Sequence, residues 1–533
     1  MKKLFNFFII IILFGLNYKK KILQSHVYLK KNCDFENRIN DLKELIENYL
    51  SQKKSSGTII DYERSFAQYI FKRFININYF NEKLIIEKCL GEYFYYPLPD
   101  DLLNIIKDKG FKINYFISKI LWYFVILSNL SLQFIRILKP FFIYKKKSNT
   151  HHQNIVIYLS SLPNEFNFDD DKKDLKTNFY IWFSDFFIKK YELKKNILFI
   201  HENKKIKNVR IKTKDNYYYE TLYDKNFIYR NFKISKYFPA VFKSFILILN
   251  IGIDKIFILG DIIKYEYLNK YNDFKIDYAL FNNSNMAFQP LWSKLKNFKG
   301  QSRNYLYYYS TNIIPLTKQP DLTKNIFGYR LHTWDNYILW NNYQKKWIER
   351  CKQTKINCSI LDNFIPFEGK NISLLNSKNK KIIIFDIPPR NEFIYYNLMH
   401  LNNIYTIEYC LKFILDIIKS VQEIYPQAKI IYKSKARDIQ TMHPEYKKLV
   451  VNYILKNKDF DVYYNEVSAH SLIMDADASI SIPFTSTALI GHYLKKPSIY
   501  YHPDKEPLIS EYFPKNIDQV NNENDLRSWL RKI

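Results

Sequence analysis

The sequence predicts an α/β protein with two doubly wound, Rossmann-like domains and a helical N-terminal extension. From His151 onward, short apolar strands alternate with amphipathic helices, which is the pattern of parallel sheets. A polar linker, Gly369–Lys381, divides this region in two. Before His151 the alternation is missing and the apolar stretches are long. We therefore expect an extension over residues 1–150, a first domain over 151–370 and a second domain over 371–533.

Composition and charge narrow the function classes. The chain has 533 residues, 47% of them hydrophobic, so it can bury ample core. Its formal charge of +29 fits an anionic membrane surface, anionic nucleotide-sugars or nucleic acid. No nucleic-acid-binding motif is present, so we expect no nucleic-acid partner. Five cysteines without a CxxC pair indicate a reducing compartment and no structural zinc.

Two apolar stretches mark the extension. Residues 4–16 lie between basic clusters, but thirteen residues span only about 20 Å as a helix, less than a bilayer core. They predict an interfacial or uncleaved anchoring segment, although a buried core helix explains them equally well. Residues 120–135 are also uncharged. The extension is thus expected either to contact the cytoplasmic face of the membrane or to pack on the next domain.

The two domains divide into strands and helices in chain order. Predicted strands of the first domain are Ile155–Leu159, Asn196–Ile200, Lys255–Leu259, Asp277–Phe281 and Tyr305–Tyr309. Its predicted helices are Pro239–Asn250 and His332–Arg350. Predicted strands of the second domain are Lys381–Ile387, Lys429–Tyr432, Asp461–Tyr464, Ala478–Ile482 and Ser498–Tyr501. Its predicted helices are Thr406–Tyr425, Pro444–Leu455, a helix capped by Ser468 that reaches Met474, and Glu523–Leu530, besides the short helix described next.

The segment Asp475–Pro503 carries the strongest local pattern, a strand, a sharp turn, a short helix and a second strand. Thr485, Ser486 and Thr487 lie at the predicted helix start, with Thr485 as the expected N-cap. A helix start presents unpaired N–H groups and a partial positive charge, which suit a phosphate. An ordinary capped helix in a βαβ unit explains the same pattern.

Several words of the sequence resemble one family. PFTSTALIG (Pro483–Gly491) and KKPSIYYHP (Lys495–Pro503) resemble the PFTS-motif proteins of bacterial surface polysaccharide biosynthesis, as does IIIFDIPP (Ile382–Pro389). The resemblance covers residues 150 to 515 and implies a GT-B-like glycosyltransferase. It implies a nucleotide-sugar donor in the second domain, an acceptor in the first, and a tail helix that returns to the first domain. It also favours Thr485, Ser486 and Thr487 as a donor phosphate site.

Other donor-site candidates follow predicted strands of the second domain. From Asn371 onward the only glycine is Gly491, which excludes both the GxGxxG fingerprint and the GxxxxGK[ST] loop. Lys433, Lys435 and Arg437 alternate beyond a strand and are candidates for the donor phosphates, although a solvated basic loop would look the same. Glu506 is a candidate for a sugar or ribose hydroxyl, or else a surface carboxylate.

Catalytic and acceptor-binding candidates also lie after strands. Asp386 ends a strand and either binds substrate hydroxyls or caps the following turn. A general base is expected from the first domain, where His332 and Asp335 are available. The acceptor-binding candidates, for which turn formation is the competing explanation, are Asn283, Ser284, Ser310 and Asn312.

The resemblance implies a glycosyltransferase, and the sequence favours one that needs no metal. The Asp475-Ala476-Asp477 word precedes a strand instead of following one, so no convincing DxD metal site is predicted. We expect no cofactor beyond the nucleotide-sugar donor, a glycan or lipid-linked acceptor, and a cytoplasmic location at the inner face of the membrane. The alternative is a non-catalytic scaffold or regulator of a polysaccharide assembly complex.

Overall fold

A computed structural model gives the fold. The residues it describes are 34–52, 61–143, 155–160, 182, 186–187, 196–201, 210–212, 218–223, 232–271, 276–282, 288–294, 303–311, 328–366, 372, 374, 379–389, 406–434, 442–464, 467–483, 485–504 and 517–533. The apolar residues 4–16 of the predicted anchoring segment lie outside these ranges.

The N-terminal extension is helical, as predicted. Its helices are α1 (Asp34–Gln52), α2 (Tyr62–Ile70), α3 (Asn78–Leu90), α4 (Asp100–Asp108) and α5 (Tyr115–Ile143). Asp61 caps α2 by accepting a hydrogen bond from the Arg64 backbone N–H at 2.7 Å. α3 ends at Gly91, whose φ of 68° is the left-handed conformation that glycine adopts without strain.

The first sheet has eight strands. They are β1 (Ile155–Leu159), β2 (Ile197–His201), β3 (Arg210–Lys212), β4 (Tyr218–Tyr223), β5 (Tyr278–Asn282), β6 (Arg303–Tyr307), β7 (Asn336–Leu339) and β8 (Cys358–Ile360). Their order is β3-β4-β2-β1-β5-β6-β7-β8, and every pairing is parallel except β3 with β4. The chain winds outward from β1 in one direction and from β5 in the other. The point where the winding direction changes therefore lies between β1 and β5.

The second sheet has six strands. They are β9 (Lys381–Phe385), β10 (Lys429–Lys433), β11 (Phe460–Tyr463), β12 (Ala478–Ser481), β13 (Ser498–His502) and β14 (Asp518–Asn521). Their order is β11-β10-β9-β12-β13-β14, all parallel. Here the winding direction changes between β9 and β12. Both sheets are thus doubly wound, which confirms the predicted fold class.

Helices cover both sheets. They are α6 (Ile234–Ile251), α7 (Leu259–Tyr271), α8 (Asn342–Lys352), α9 (Ile407–Ile424), α10 (Pro444–Leu449), α11 (Ala469–Asp475), α12 (Thr487–Tyr493) and α13 (Asn522–Leu530). One core joins the extension, α6 and α7 to one face of the first sheet. A second core joins the other face of the first sheet to the near side of the second sheet. It includes Phe364 and Ile365, which precede the linker, and Leu374 within it. A third lies on the far side of the second sheet.

Two predicted elements of the first domain were wrong. Lys255–Leu259, predicted as a strand, lies in the 3₁₀ helix Ile253–Ile258 and the start of α7. Phe257 packs there on Trp122 of α5, with ring centroids 5.3 Å apart. The predicted helix His332–Arg350 is instead strand β7 followed by α8. The buried run Tyr337–Leu339 pairs with β6 and β8, and Asn341 caps α8 through the Gln344 N–H at 2.9 Å.

The tail helix stays with the second domain, which corrects the expected return to the first. Leu526 and Leu530 of α13 are fully buried in the third core, beside residues of α9. The Tyr425 hydroxyl donates to the Leu530 carbonyl at 2.7 Å, and Arg527 pairs with Glu423 at 2.9 Å. β14, which the sequence did not predict, fixes the tail further by pairing with β13.

Candidate functional site

The carboxyl edges of the two sheets come into contact at Thr311 and Ser486. The Ser486 hydroxyl oxygen accepts hydrogen bonds from the Thr311 backbone N–H at 2.8 Å and from the Thr311 hydroxyl at 3.2 Å. Thr311 follows β6 of the first sheet, and Ser486 follows β12 of the second. In open α/β sheets, ligands bind beyond the carboxyl ends of the strands. The facing edges therefore define the candidate site.

The hydroxyls of Thr485, Ser486 and Thr487, called here the PFTS turn, form hydrogen bonds within the protein. The Thr485 hydroxyl donates to the Ile482 carbonyl at 2.8 Å and lies 3.0 Å from that of Thr487, which in turn lies 2.7 Å from the Ser481 hydroxyl. Ser486, not the predicted Thr485, is the N-cap residue of α12. These hydroxyls hold strand, turn and helix together and link the two domains. Phosphate binding by Thr485, Ser486 and Thr487 stays a prediction.

Gly491 sets how closely α12 packs on the sheet. A Cβ atom at this position would overlap the Ser498 hydroxyl and lie 2.6 Å from the Ser498 Cβ, which is closer than such atoms approach. The Ser498 hydroxyl itself hydrogen-bonds that of Ser479 at 2.7 Å, so β12 and β13 are joined directly beneath the helix. The glycine thus allows the close helix–sheet contact that positions the PFTS turn.

Asp386 lies at the end of β9, beside the point where the second sheet changes winding direction. Its carboxylate is buried and accepts hydrogen bonds from the hydroxyls of Tyr432, at 2.7 Å, and Tyr446. Burial raises the pKa of Asp386 to about 6, while the two tyrosine hydroxyls and the nearby Lys433 charge act to lower it. Its Oδ1 atom has no hydrogen-bond partner among the described residues.

Of the other residues predicted to bind the nucleotide-sugar donor, the structure describes one, Lys433. Lys433 ends β10 and pairs in register with Phe385, the last residue of β9, so it lies at the same carboxyl edge as Asp386. Lys435, Arg437 and Glu506 lie outside the described residues. Their predicted roles are unchanged by the structure.

Of the acceptor-binding candidates, only Ser310 is described. It lies beside Thr311 at the facing edges, and its carbonyl accepts a hydrogen bond from Gln344 at 3.2 Å. Asn283, Ser284 and Asn312 lie outside the described residues.

His332 lies away from this group. It precedes β7, so it occupies the amino edge of the first sheet, opposite the edge that carries Thr311. Its imidazole is buried against Tyr329, with ring centroids 5.0 Å apart. Burial holds the pKa of His332 well below its ordinary value, and the Lys352 charge acts in the same direction. The structure does not bring it together with Asp386 or the PFTS turn.

Sequence reasoning missed several residues at the facing edges. Ser160 follows β1 where the first sheet changes winding direction, and its hydroxyl accepts from the Asn282 N–H at 3.2 Å. A pair of serines directly after a strand was the available signal. Tyr446, which hydrogen-bonds Asp386, lies 60 residues further along the chain and carried no local signal.

The two aspartates of the Asp475-Ala476-Asp477 segment accept backbone hydrogen bonds. Asp475 accepts from the Leu374 N–H at 2.7 Å, and Asp477 accepts from the Lys381 N–H at 2.8 Å. Lys381 begins β9 and Asp477 directly precedes β12. Both carboxylates thus stabilise the amino edge of the second sheet.

Comparison with known structures gives distant similarities. A structure titled trehalose-6-phosphate from E. coli bound with UDP-2-fluoro glucose has 8% identity and a TM-score of 0.36, covering 71% of this chain and 90% of that one. An α,α-trehalose-phosphate synthase (UDP-forming) from Burkholderia vietnamiensis has 8% identity and a TM-score of 0.36, covering 71% of this chain and 91% of that one. The spinosyn rhamnosyltransferase SpnG, complexed with spinosyn aglycone, has 9% identity and a TM-score of 0.29, covering 65% of this chain and 80% of that one. The fold assignment rests on the strand orders and not on these similarities.

Comparison of sequences gives a family. No curated protein matches the chain. The sequence model of the family described as polysaccharide biosynthesis PFTS motif protein matches residues 259–530. This match takes in both facing edges, from β5 and β6 of the first sheet to α13 of the second. The chain therefore belongs to the polysaccharide biosynthesis PFTS motif protein family.

Proposed function

We propose that the chain is a glycosyltransferase of polysaccharide biosynthesis. It would transfer a sugar from a nucleotide-activated donor to a glycan or lipid-linked acceptor. The observation that carries the proposal is the contact between Thr311 and Ser486, because it brings the ligand-binding edges of two doubly wound sheets together within a polysaccharide-biosynthesis family. The donor would bind at the second edge and the acceptor at the first.

Lys433 and Asp386 have separate roles in this proposal. Lys433 would offset the negative charge of the donor diphosphate, which increases on the leaving group as the sugar departs. Asp386 would accept a hydrogen bond from a substrate hydroxyl through Oδ1, the atom that has no partner among the described residues. With a pKa of about 6, it is mostly ionised at pH 7 and therefore an acceptor.

The reaction is proposed to need no metal and no cofactor apart from the donor. The support is the position of Asp475 and Asp477 at the amino edge, where they accept backbone hydrogen bonds. A cytoplasmic location is proposed as well. It is supported by four described cysteines, Cys89, Cys351, Cys358 and Cys410, which form no disulfide.

Strand β10 offers a matched pair of variants to test donor binding. Lys433 lies at its carboxyl end and Lys429 at its amino end, where Lys429 pairs with Asp461 at 3.2 Å. Calorimetric titration with UDP, GDP, ADP, dTDP and CMP should identify one that binds. Lys433→Met should then raise its Kd about tenfold, the loss of one charge-assisted hydrogen bond, while Lys429→Met leaves it unchanged.

Transfer itself is tested with the matching nucleotide-sugar and a membrane lipid extract, with product detected by mass spectrometry. We expect transfer that persists in EDTA. Absence of binding by every nucleotide, or equal loss in both lysine variants, would overturn the proposal.

A non-catalytic scaffold is the second candidate. The observation that favours it is the engagement of the PFTS hydroxyls within the protein, which suits a structural motif. Such a scaffold would give no glycosyl product with any nucleotide-sugar, whereas an enzyme would give one.

A further inference from the structure

We propose that helices α5 and α6 together form a surface that lies flat on an anionic lipid bilayer. The helices pack side by side and antiparallel. Phe141 contacts Phe238 and Phe134 contacts Phe245, with ring centroids 5.8 and 6.2 Å apart. The Tyr237 hydroxyl also donates to the Ile137 carbonyl at 3.2 Å. The two helices therefore present one continuous outer surface, called here the α5–α6 face.

The α5–α6 face holds most of the exposed apolar groups of the described residues. Of their twenty large hydrophobic side chains that are exposed, nine lie on α5 and five on α6. Helical spacing places them in one stripe on each helix. The stripe of α5 includes Phe116, Ile120, Tyr123, Leu127, Phe134 and Leu138. That of α6 is Ile234, Phe238, Phe242, Ile246 and Leu249. A contiguous apolar area of this kind marks an interaction site.

The inner sides of the same helices are fixed to the first domain. Trp122 of α5 stacks near Phe257, and the Gln133 amide donates to the Phe257 carbonyl at 3.2 Å. On α6, Tyr237, Ser244 and Ile248 are buried. By length and composition, both helices could span a bilayer. Because one side of each packs on the domain, we place them in the plane of the membrane surface.

The charges identify the partner as an anionic bilayer. Neither helix contains an aspartate or a glutamate, whereas α5 carries Lys119, Arg136 and Lys139 and α6 carries Lys236 and Lys243. The whole chain has a net charge of +29. From neighbouring helices, Asp100 pairs with Lys119 at 2.9 Å and Glu266 pairs with Lys243 at 2.7 Å. The two apolar stripes themselves carry no carboxylate, and apolar side chains beside basic ones favour insertion among anionic head groups. A second copy of this chain carries the same positive charge, which favours the bilayer over a dimer as the partner.

Vesicle flotation of the full chain tests the proposal without any nucleotide-sugar, so its result does not depend on the proposed function. The vesicles contain phosphatidylcholine alone or with phosphatidylglycerol. The first variant combines Tyr123→Ser with Leu127→Ser on α5, and the second combines Phe242→Ser with Leu249→Ser on α6. The matched control combines Leu45→Ser with Leu455→Ser, which are exposed leucines outside the α5–α6 face.

The native chain should float with the anionic vesicles, and each helix variant should bind them at least tenfold more weakly while the control binds as before. All variants should keep the native melting temperature, because the altered side chains are exposed. Three results would overturn the proposal. They are no flotation of the native chain, a dimer in light scattering that the helix variants abolish, and binding that is lost on deleting residues 1–20 but not in the helix variants.

Discussion

At the scale of single residues, Asp386 combines the substrate-binding role proposed for it with a cost to stability. In the proposed role its carboxylate is ionised when it accepts a hydrogen bond from a sugar hydroxyl, yet it lies buried between two tyrosine hydroxyls. Burial raises its pKa from 3.8 to about 6 in spite of those hydrogen bonds. Buried ionisable residues with strongly shifted pKa values, whose charged form destabilises the fold, are typical of functional sites.

The raised pKa gives a pH dependence with a definite sign. Between pH 4 and 6 the folded protein binds more protons at Asp386 than the unfolded chain does. The favourable contribution of protonated Asp386 to the free energy of unfolding is therefore complete below pH 4 and is lost as the pH rises through 6. Two pKa units correspond to about 3 kcal/mol. Relative to Asp386→Asn, the native protein should lose up to that amount of stability between pH 4 and 7, measured by urea unfolding. Parallel curves for the two proteins would contradict this.

At the residue scale, sequence reasoning found the positions but not their contacts. Asp386 and Lys433 were identifiable because polar residues that follow buried strands lie at the carboxyl edge of a parallel sheet. The partners of Asp386 were not, because Tyr432 and Tyr446 lie 46 and 60 residues away in sequence. His332 was selected as one of two ionisable residues available in its region, and the structure places it at the opposite edge.

At the scale of elements, the short helix α12 depends on one close contact with the sheet. Gly491 faces Ser498 of β13 so closely that any Cβ atom would meet it. Gly491→Ala should destabilise the protein by about 1–3 kcal/mol, the usual effect of overpacking. The loss should be measured by thermal or urea unfolding. Ser498→Gly removes the opposing side chain, so the double variant Gly491→Ala/Ser498→Gly should recover part of it. No loss in the single variant would mean that α12 packs further from the sheet.

Elements were predictable where local periodicity and burial agreed. The long helix α9 follows Thr406, whose hydroxyl caps it through the Tyr409 N–H at 3.2 Å, and both signals are visible in the sequence. Strand β7 was not predictable, because its four residues lie within a run of aromatic residues that also fits helical spacing. The segment is a strand because it pairs with β6 and β8, and such pairing depends on residues distant in sequence.

At the scale of the whole molecule, the two doubly wound sheets followed from the alternation of strands and helices, but their mutual arrangement did not. Thr311 and Ser486 are 175 residues apart, and no local pattern indicates that they touch. The tail helix likewise packs on its own domain through Leu526 and Leu530, against the expectation taken from the family resemblance. Contacts between units depend on shape, which the sequence patterns did not contain.

In the proposed function, ligands bind between the facing carboxyl edges. Hydrogen–deuterium exchange of the native chain, with and without the nucleoside diphosphate that binds most tightly, tests it directly. We expect slower exchange in peptides that contain residues 307–311, 386–389 and 482–487, with unchanged exchange around His332 at the opposite edge. Protection confined to residues 329–335, or no protection at either edge, would contradict it.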